Sequence, residues 1–117
     1  MLSRVTWPTF PTRQVLQKLK DTTEKGLIKR ICIQALNYPT VFDDVLNLVK
    51  EIRSIVDLPI SVSCQPFGEE EMKKLAQIGV DRIGIPLDAV TEDIFDRVKG
   101  FLANGPYTWK KQQEALK

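Results

Sequence analysis

The amino-acid sequence predicts an α/β fold in which three parallel strands alternate with helices. Apolar runs of strand length begin near residues 28, 59 and 80, and each is followed by a segment whose apolar residues have helical spacing. The connections are short, which favours parallel strands joined by right-handed crossovers. Because a closed barrel takes about eight such units, the chain is expected to be a partial (βα) TIM-type barrel or an open three-stranded sheet.

The first predicted unit is a helix followed by a strand. The apolar residues of segment 13–25 recur on one helical face. Thr12 is expected to cap this helix and Gly26 to end it. Segment 28–36 is apolar and rich in β-branched residues, so it predicts the first strand.

The second unit repeats this order. Thr40 and Asp43 have the spacing of a capping box in which aspartate replaces the usual glutamate. They precede segment 41–55, whose wide apolar face is typical of a helix that packs on a sheet. Segment 59–64 then predicts the second strand.

The third unit begins with a helix over 69–79, whose first turn carries three acidic residues. Those acids suit the positive end of a helix and need no catalytic explanation. Segment 80–87 predicts the third strand. Thr91 is expected to cap a helix over 92–100, and a last helix is predicted from Pro106 to the C-terminus.

The bulk composition predicts a single domain over residues 1–117 and excludes several function classes. The net charge of +2 comes from 17 basic and 15 acidic residues, mixed along the chain. This mixture provides no patch for nucleic acid or for an anionic membrane surface. No apolar run approaches the ~20 residues of a membrane span, and the N-terminus lacks a signal-peptide pattern. A cytoplasmic protein is therefore expected. Trp7 and Trp109 are expected to be packing anchors, because an aromatic side chain buries a large area.

Side-chain alternation divides the predicted sheet into a polar and an apolar face. The apolar face is rich in Ile and Val and is expected to lie under the helices. The opposite face carries small and polar residues, so we expect it to line a hollow with a polar occupant. Its members are Cys32, Gln34 and Leu36, then Ser61 and Ser63, then Arg82, Gly84 and Pro86.

Ligands of parallel α/β proteins bind beyond the carboxyl ends of the strands. That rule selects segments 34–39, 64–68 and 86–91. Their polar side chains are Gln34, Asn37, Tyr38, Gln65 and Asp88. Turn formation and helix capping explain Asn37, Gln65 and Asp88 equally well. A glutamine inside a strand, however, needs either an internal partner or a polar cavity.

The two cysteines, Cys32 and Cys64, fit neither a disulfide framework nor a four-ligand metal site, so no metal site is predicted. Histidine is absent from the sequence, which excludes histidine-dependent triads and the common zinc sites. The alternative interpretation of each cysteine is a small buried apolar residue.

Three stretches that together span nearly the whole chain carry a family resemblance. They are "LSRVTWPTFPTRQVLQKLKD", "KRICIQALNYP" and "DLPISVSCQPFGEEEMKKLAQIGVDRIGIPLDAVTEDIFDRVKG". They resemble the biotin-synthase-related branch of the radical S-adenosylmethionine superfamily, over strands two to four of its barrel. Arg30-Ile31-Cys32 is similar to an Arg-aromatic-Cys stretch of biotin synthase, and Pro86-Leu87-Asp88 to its Asn-Leu-Asp.

This resemblance implies roles for specific residues. Asp88 would accept hydrogen bonds from the ribose hydroxyls of S-adenosylmethionine. Cys32 would occupy the position of an auxiliary-cluster ligand with Arg30 on the same wall, and Ser61 would replace the next auxiliary-cluster cysteine. The methionine end of the cofactor would meet the backbone of Gln34, Ala35 and Leu36, with Asn37 following.

The sequence departs from the superfamily at its defining motif. The CxxxCxxC segment, whose three thiolates hold the [4Fe–4S] cluster, would precede residue 2 and is absent. We therefore expect a fragment or split piece of such an enzyme, inactive alone, that contributes part of the cofactor and substrate site. The first alternative is a non-catalytic α/β module. It would form a homo-oligomer, or dock on a complementary chain, through open sheet edges. A second alternative is an unrelated small ligand-binding domain.

Overall fold

The computed structural model describes residues 8–117, so Trp7 lies outside the described part. Its helices and strands alternate as the sequence predicts. In the described residues, no helix has the length and apolarity needed to span a bilayer. The elements are α1 (Thr12–Glu24), β1 (Ile31–Gln34), α2 (Val41–Arg53), β2 (Ile60–Ser63), α3 (Glu69–Gln77), β3 (Val80–Gly84), α4 (Glu92–Val98), a 3₁₀ turn (Phe101–Ala103) and α5 (Trp109–Glu114).

The three strands form one parallel sheet in the order β1-β2-β3. Within residues 8–117, one edge of β1 and one edge of β3 therefore have no strand partner. This arrangement confirms the predicted fold class, an open parallel sheet consistent with a partial (βα) barrel. Each crossover contains a helix, as parallel neighbours require.

The strands are shorter than the apolar runs that predict them. The ladder ends where the Ala35 N–H donates to the Ser63 carbonyl at 2.9 Å and the Cys64 N–H donates to the Gly84 carbonyl at 3.0 Å. Beyond these bonds the chain leaves the sheet to form the loops that reach the next helices. The apolar residues of those loops belong to the connections rather than to the strands.

The core lies between the apolar face of the sheet and the helices, chiefly α2. Helix α1 has no buried residue, and only Leu16 and Leu19 pack against the core from that helix. Each buried valine or isoleucine side chain stabilises the fold by roughly 1.5–3 kcal/mol. The buried core residues are Val41, Val45, Val49, Ile52, Val56, Ile60, Val62, Cys64, Leu75 and Val80.

The predicted helix caps are confirmed only in part. The Thr91 hydroxyl accepts from the Ile94 N–H at 3.4 Å and caps α4. The prediction for Thr12 is wrong, because Thr12 is the first helical residue and follows Pro11. Thr40 stands at the N-cap of α2, but its hydroxyl donates to Asp44 Oδ2 at 2.9 Å instead of capping the backbone.

The last helix begins later than predicted. Helix α5 starts at Trp109, and the Thr108 hydroxyl caps it by accepting from the Lys111 N–H at 3.3 Å. The Trp109 ring packs edge-on against Phe95, with centroids 5.5 Å apart. Trp109 therefore anchors α5 on α4, as expected for a packing residue.

Arg53, the last residue of α2, ties the amino-terminal ends of β2 and β3 together. Its guanidinium donates to the Leu58 carbonyl at 2.7 Å and to the Gly79 carbonyl. It also donates to Asp81 Oδ2 at 3.2 Å. Gly79 has φ +93°, and a Cβ there would lie 2.7 Å from Arg53 Nε, so the close approach requires glycine.

Asp81 completes this contact from β3. The Ile60 N–H donates to Asp81 Oδ2 at 2.7 Å. This backbone hydrogen bond, followed by the charges of Arg53 and Arg30, holds the pKa of Asp81 below its ordinary value. Folding therefore favours the ionised carboxylate.

Replacing Asp81 by Asn should lower the melting temperature at neutral pH. Because the pKa of Asp81 is depressed in the folded state, the wild-type advantage is complete above the unfolded-state pKa. It is lost as the pH falls through the lower folded-state pKa. Thermal unfolding followed by circular dichroism from pH 7 to pH 2 should show the two melting temperatures converging in acid. Asp57→Asn is the matched control, because Asp57 is fully exposed and lies 3.7 Å from Arg53 Nη1. An equal effect from both variants would contradict the assignment to Asp81.

Candidate functional site

The loops that follow β1, β2 and β3 meet at the carboxyl edge of the sheet. A cavity of about 280 Å³ opens between them. It brings together Gln34 at the end of β1, Ser63 at the end of β2, and Pro86 just after β3. The complete lining is Gln34, Ala35, Leu36, Ser63, Cys64, Gln65 and Pro86. Three separate strands thus contribute to one small space, as ligand sites of parallel sheets require.

A larger cavity of about 480 Å³ lies beside the first. Leu36 and Gln65 line both cavities, and Asn37 lines the larger one. The Phe42 and Phe67 rings, which also line it, pack edge-on with centroids 5.3 Å apart. The larger cavity therefore shares part of its lining with the smaller one and has an aromatic wall.

Gln65 has a polar atom that finds no partner among the described residues. Its Oε1 is buried and accepts no hydrogen bond. Buried carbonyl oxygens in native proteins are normally paired. Gln65 lines both cavities, so a ligand donor would satisfy this atom once the side chain turned toward either of them.

Asp88 lies on the loop between β3 and α4, two residues beyond Pro86. Its backbone has φ +61°, a conformation uncommon for a residue other than glycine. The side chain is about half exposed, and Oδ2 lies 2.5 Å from Lys99 Nζ. Asp88 is outside the lining of both cavities. Lys99 links it to Pro86, because the ammonium contacts both residues, but Asp88 shares no cavity lining with Gln34, Ala35 and Leu36.

The polar face of the sheet is where the sequence predicts it. Cys32 is in register with Ser61 and Ser61 with Arg82, so these three residues form one row across the strands. Arg30 joins this row, since its Nη1 donates to the Ser61 hydroxyl at 2.9 Å. Cys32 and Gln34 are exposed, and neither is covered by a helix. Over residues 8–117 this face is open rather than enclosed.

The two cysteines differ in environment. Cys64 is buried in the core, and burial raises the pKa of its thiol to about 11. Cys32 is exposed on the polar face. The interpretation as a small buried apolar residue is therefore correct for Cys64 and wrong for Cys32. In the described part of the chain, no three Cys, His, Asp or Glu residues group as metal ligands. These residues do not fit a [4Fe–4S] cluster.

Sequence reasoning misses two residues that contact the loop after β3, namely Lys99 at the end of α4 and Gln112 in α5. Lys99 donates to Asp88 and to the Pro86 carbonyl, and Gln112 donates to the same carbonyl. In the sequence, Lys99 has the position of an ordinary helix-end lysine and Gln112 belongs to a polar run. No local signal marks either residue, because their partners are 11 to 26 positions away.

Comparison with known proteins identifies a superfamily. The family model described as "Radical SAM superfamily" matches residues 3–117. A probable GTP 3',8-cyclase of Thermococcus kodakarensis is 32% identical over 63 residues, which is 53% of this chain and 20% of that protein. The similar segment thus spans one fifth of that relative. The match to the family model overturns the alternative of an unrelated ligand-binding domain, and neither comparison tests the narrower relation to biotin synthase.

The difference in exposure between Cys32 and Cys64 predicts that their thiols react at different rates. In the native protein at pH 8, Ellman's reagent should titrate Cys32 quickly. Cys64 should react only after unfolding, because its raised pKa and burial both suppress the thiolate. The Cys32→Ser variant should show almost no fast reaction and one thiol in guanidinium chloride. Two fast thiols in the native wild type would contradict the placement of Cys64.

Proposed function

The chain belongs to the radical SAM superfamily, and we propose that it supplies part of the S-adenosylmethionine and substrate site of such an enzyme. Complete enzymes of the superfamily use S-adenosylmethionine and a [4Fe–4S] cluster. The observation that carries the proposal is the cavity where Gln34, Ala35 and Leu36 meet Ser63 and Pro86. These are the segments in which a parallel barrel places its ligands.

Within this site the chain's residues bind and orient. We assign the backbone of Gln34, Ala35 and Leu36, with Asn37 following, to the methionine end of the cofactor. Asp88 is assigned to the ribose hydroxyls. Among the described residues, Asp88 Oδ1 has no hydrogen-bond donor, whereas Oδ2 is engaged by Lys99. Oδ1 is therefore available to accept from a ligand hydroxyl, which supports the assignment.

The cluster must come from elsewhere in the complete enzyme. The chain has two cysteines, and Cys64 is a buried thiol. Three thiolates are needed for the cluster, so we propose that a complementary segment supplies them and that this chain is inactive alone. A cytoplasmic location is proposed with this, because reducing compartments keep thiols reduced.

The relation to biotin synthase is proposed from the polar face. Arg30, Cys32 and Ser61 form a row that a substrate or auxiliary cluster could contact. Ser61 stands where the resemblance expects a second cysteine. An auxiliary cluster held as in biotin synthase would therefore lack one ligand, and we assign this row to the substrate wall instead.

S-adenosylmethionine should bind the purified chain in a calorimetric titration at millimolar ligand. Asp88→Asn should weaken binding about tenfold or more, since a hydrogen bond to a charged group is worth roughly 1.5–3 kcal/mol. Asp93→Asn is the matched control, because Asp93 is an exposed aspartate on α4 that pairs only with Arg97 among the described residues. Absence of binding, or equal affinity in Asp88→Asn, would overturn the cofactor assignment.

A second candidate function is association through the open sheet edges. The Ile31 N–H donates to the Pro59 carbonyl, just before β2, and the Ala35 N–H donates to the Ser63 carbonyl at the end of β2. Because alternate residues of a parallel strand bond to opposite sides, the N–H groups of Cys32 and Gln34 point to the open edge. We propose that this edge accepts a strand from a second copy or from the complementary segment. Unpaired edges are templates for such pairing.

Sedimentation velocity at increasing concentration should reveal an oligomer of the isolated chain. Cys32→Pro should reduce association, because proline removes one outward N–H without removing a bond to β2. Cys32→Ala keeps that N–H and should associate like the wild type. A wild type that remains monomeric at high concentration would exclude self-association through this edge.

A further inference from the structure

The C-terminal helix α5 contacts the loop that carries Asp88. Gln112, the one fully buried polar side chain in residues 8–117, donates from α5 to the Pro86 carbonyl. Lys99 Nζ donates to the same carbonyl at 3.3 Å. Two side chains, 13 and 26 positions beyond Pro86, thus converge on one backbone oxygen of the loop.

Lys99 occupies an aromatic environment and is almost completely shielded from solvent. Its side chain is 9% exposed, and its ammonium lies 5.8 Å from the Phe95 ring centroid and 5.1 Å from that of Tyr107. Aromatic faces attract a cation and limit where it can move. The two rings therefore restrict the position of the ammonium independently of its contact with Asp88.

Asp88 needs such a fixed partner. Its left-handed backbone conformation persists only where surrounding contacts enforce it. Lys99 Nζ, at 2.5 Å from Oδ2, provides a charge-assisted contact that sets the rotation of the carboxylate. With Oδ2 held, Oδ1 is the oxygen that remains for a ligand.

We propose that Lys99 is a positioning residue that orients the Asp88 carboxylate toward a ribose hydroxyl, with Gln112 holding the loop from α5. This inference rests on the proposed function, because it assumes that Asp88 meets the nucleoside. The ligand group it concerns is a sugar hydroxyl, the donor that a single available carboxylate oxygen accepts. The C-terminal helix α5 thereby supports the loop of the binding site without contacting the ligand.

Two readouts test this proposal. The first is the amide resonances of residues 87–89 in ¹⁵N-labelled protein, which report the loop without any ligand. Lys99→Met should shift them, Lys99→Arg should restore most of the wild-type positions, and Lys110→Met should leave them unchanged. Lys110 is a suitable control because its side chain is 84% exposed on α5. Gln112→Leu is the second variant, should Lys99→Met fail to fold.

The second readout is discrimination between 5′-methylthioadenosine and its 2′-deoxy analogue. The wild type should prefer the hydroxylated nucleoside about tenfold, and Lys99→Met should lose most of this preference. In a double-mutant cycle, adding Lys99→Met to Asp88→Asn should cost no further affinity. A purely structural lysine would weaken both nucleosides equally.

The outcomes separate the two proposals. If the wild type binds neither nucleoside, the proposed function fails, and the amide resonances alone decide whether Lys99 positions the loop. Unchanged resonances of residues 87–89 in both Lys99→Met and Gln112→Leu would overturn the positioning role. So would an undiminished preference for the hydroxylated nucleoside in Lys99→Met.

Discussion

Alternation of side chains along three parallel strands is the constraint on which the rest of this structure depends. Consecutive residues of a strand face opposite sides of the sheet, so Ile60 and Val62 enter the core while Ser61 and Ser63 face away from it. In the part of the chain that the structure describes, helices cover only the face that carries Ile60 and Val62. A shift of one residue in any strand would exchange the two sets and bury serine against α2.

The two ends of the sheet differ in structure. At the amino-terminal end, Arg53 and Asp81 join β2 to β3 through backbone and side-chain contacts. At the carboxyl end, the loops after the strands form two cavities that share lining residues, beside the Gln65 side-chain carbonyl that has no partner among the described residues. Contacts that stabilise the fold thus lie at one end of the sheet and the cavities at the other, which is the usual division in parallel α/β proteins.

The order of the elements and the position of the polar face could be predicted from the sequence, because both follow from local periodicity. The sequence was also sufficient to select the segments around Gln34 and Pro86 that meet in one cavity. Strand ends and two of the caps were missed, since a competing partner such as Asp44 for Thr40 is visible only in three dimensions. Lys99 was missed for a related reason: nothing within α4 indicates that its ammonium leaves the helix to reach the loop after β3.

The irregular pairing at the start of β2 has a geometric consequence. Ile60 pairs with Val80, but Ser61 pairs with Arg82, so Asp81 is one extra residue on the β3 side. Such a bulge bends a strand and increases local twist. At this bulge the Ile60 N–H donates to a side-chain oxygen, Asp81 Oδ2, so a carboxylate replaces a backbone acceptor at the start of the ladder between β2 and β3.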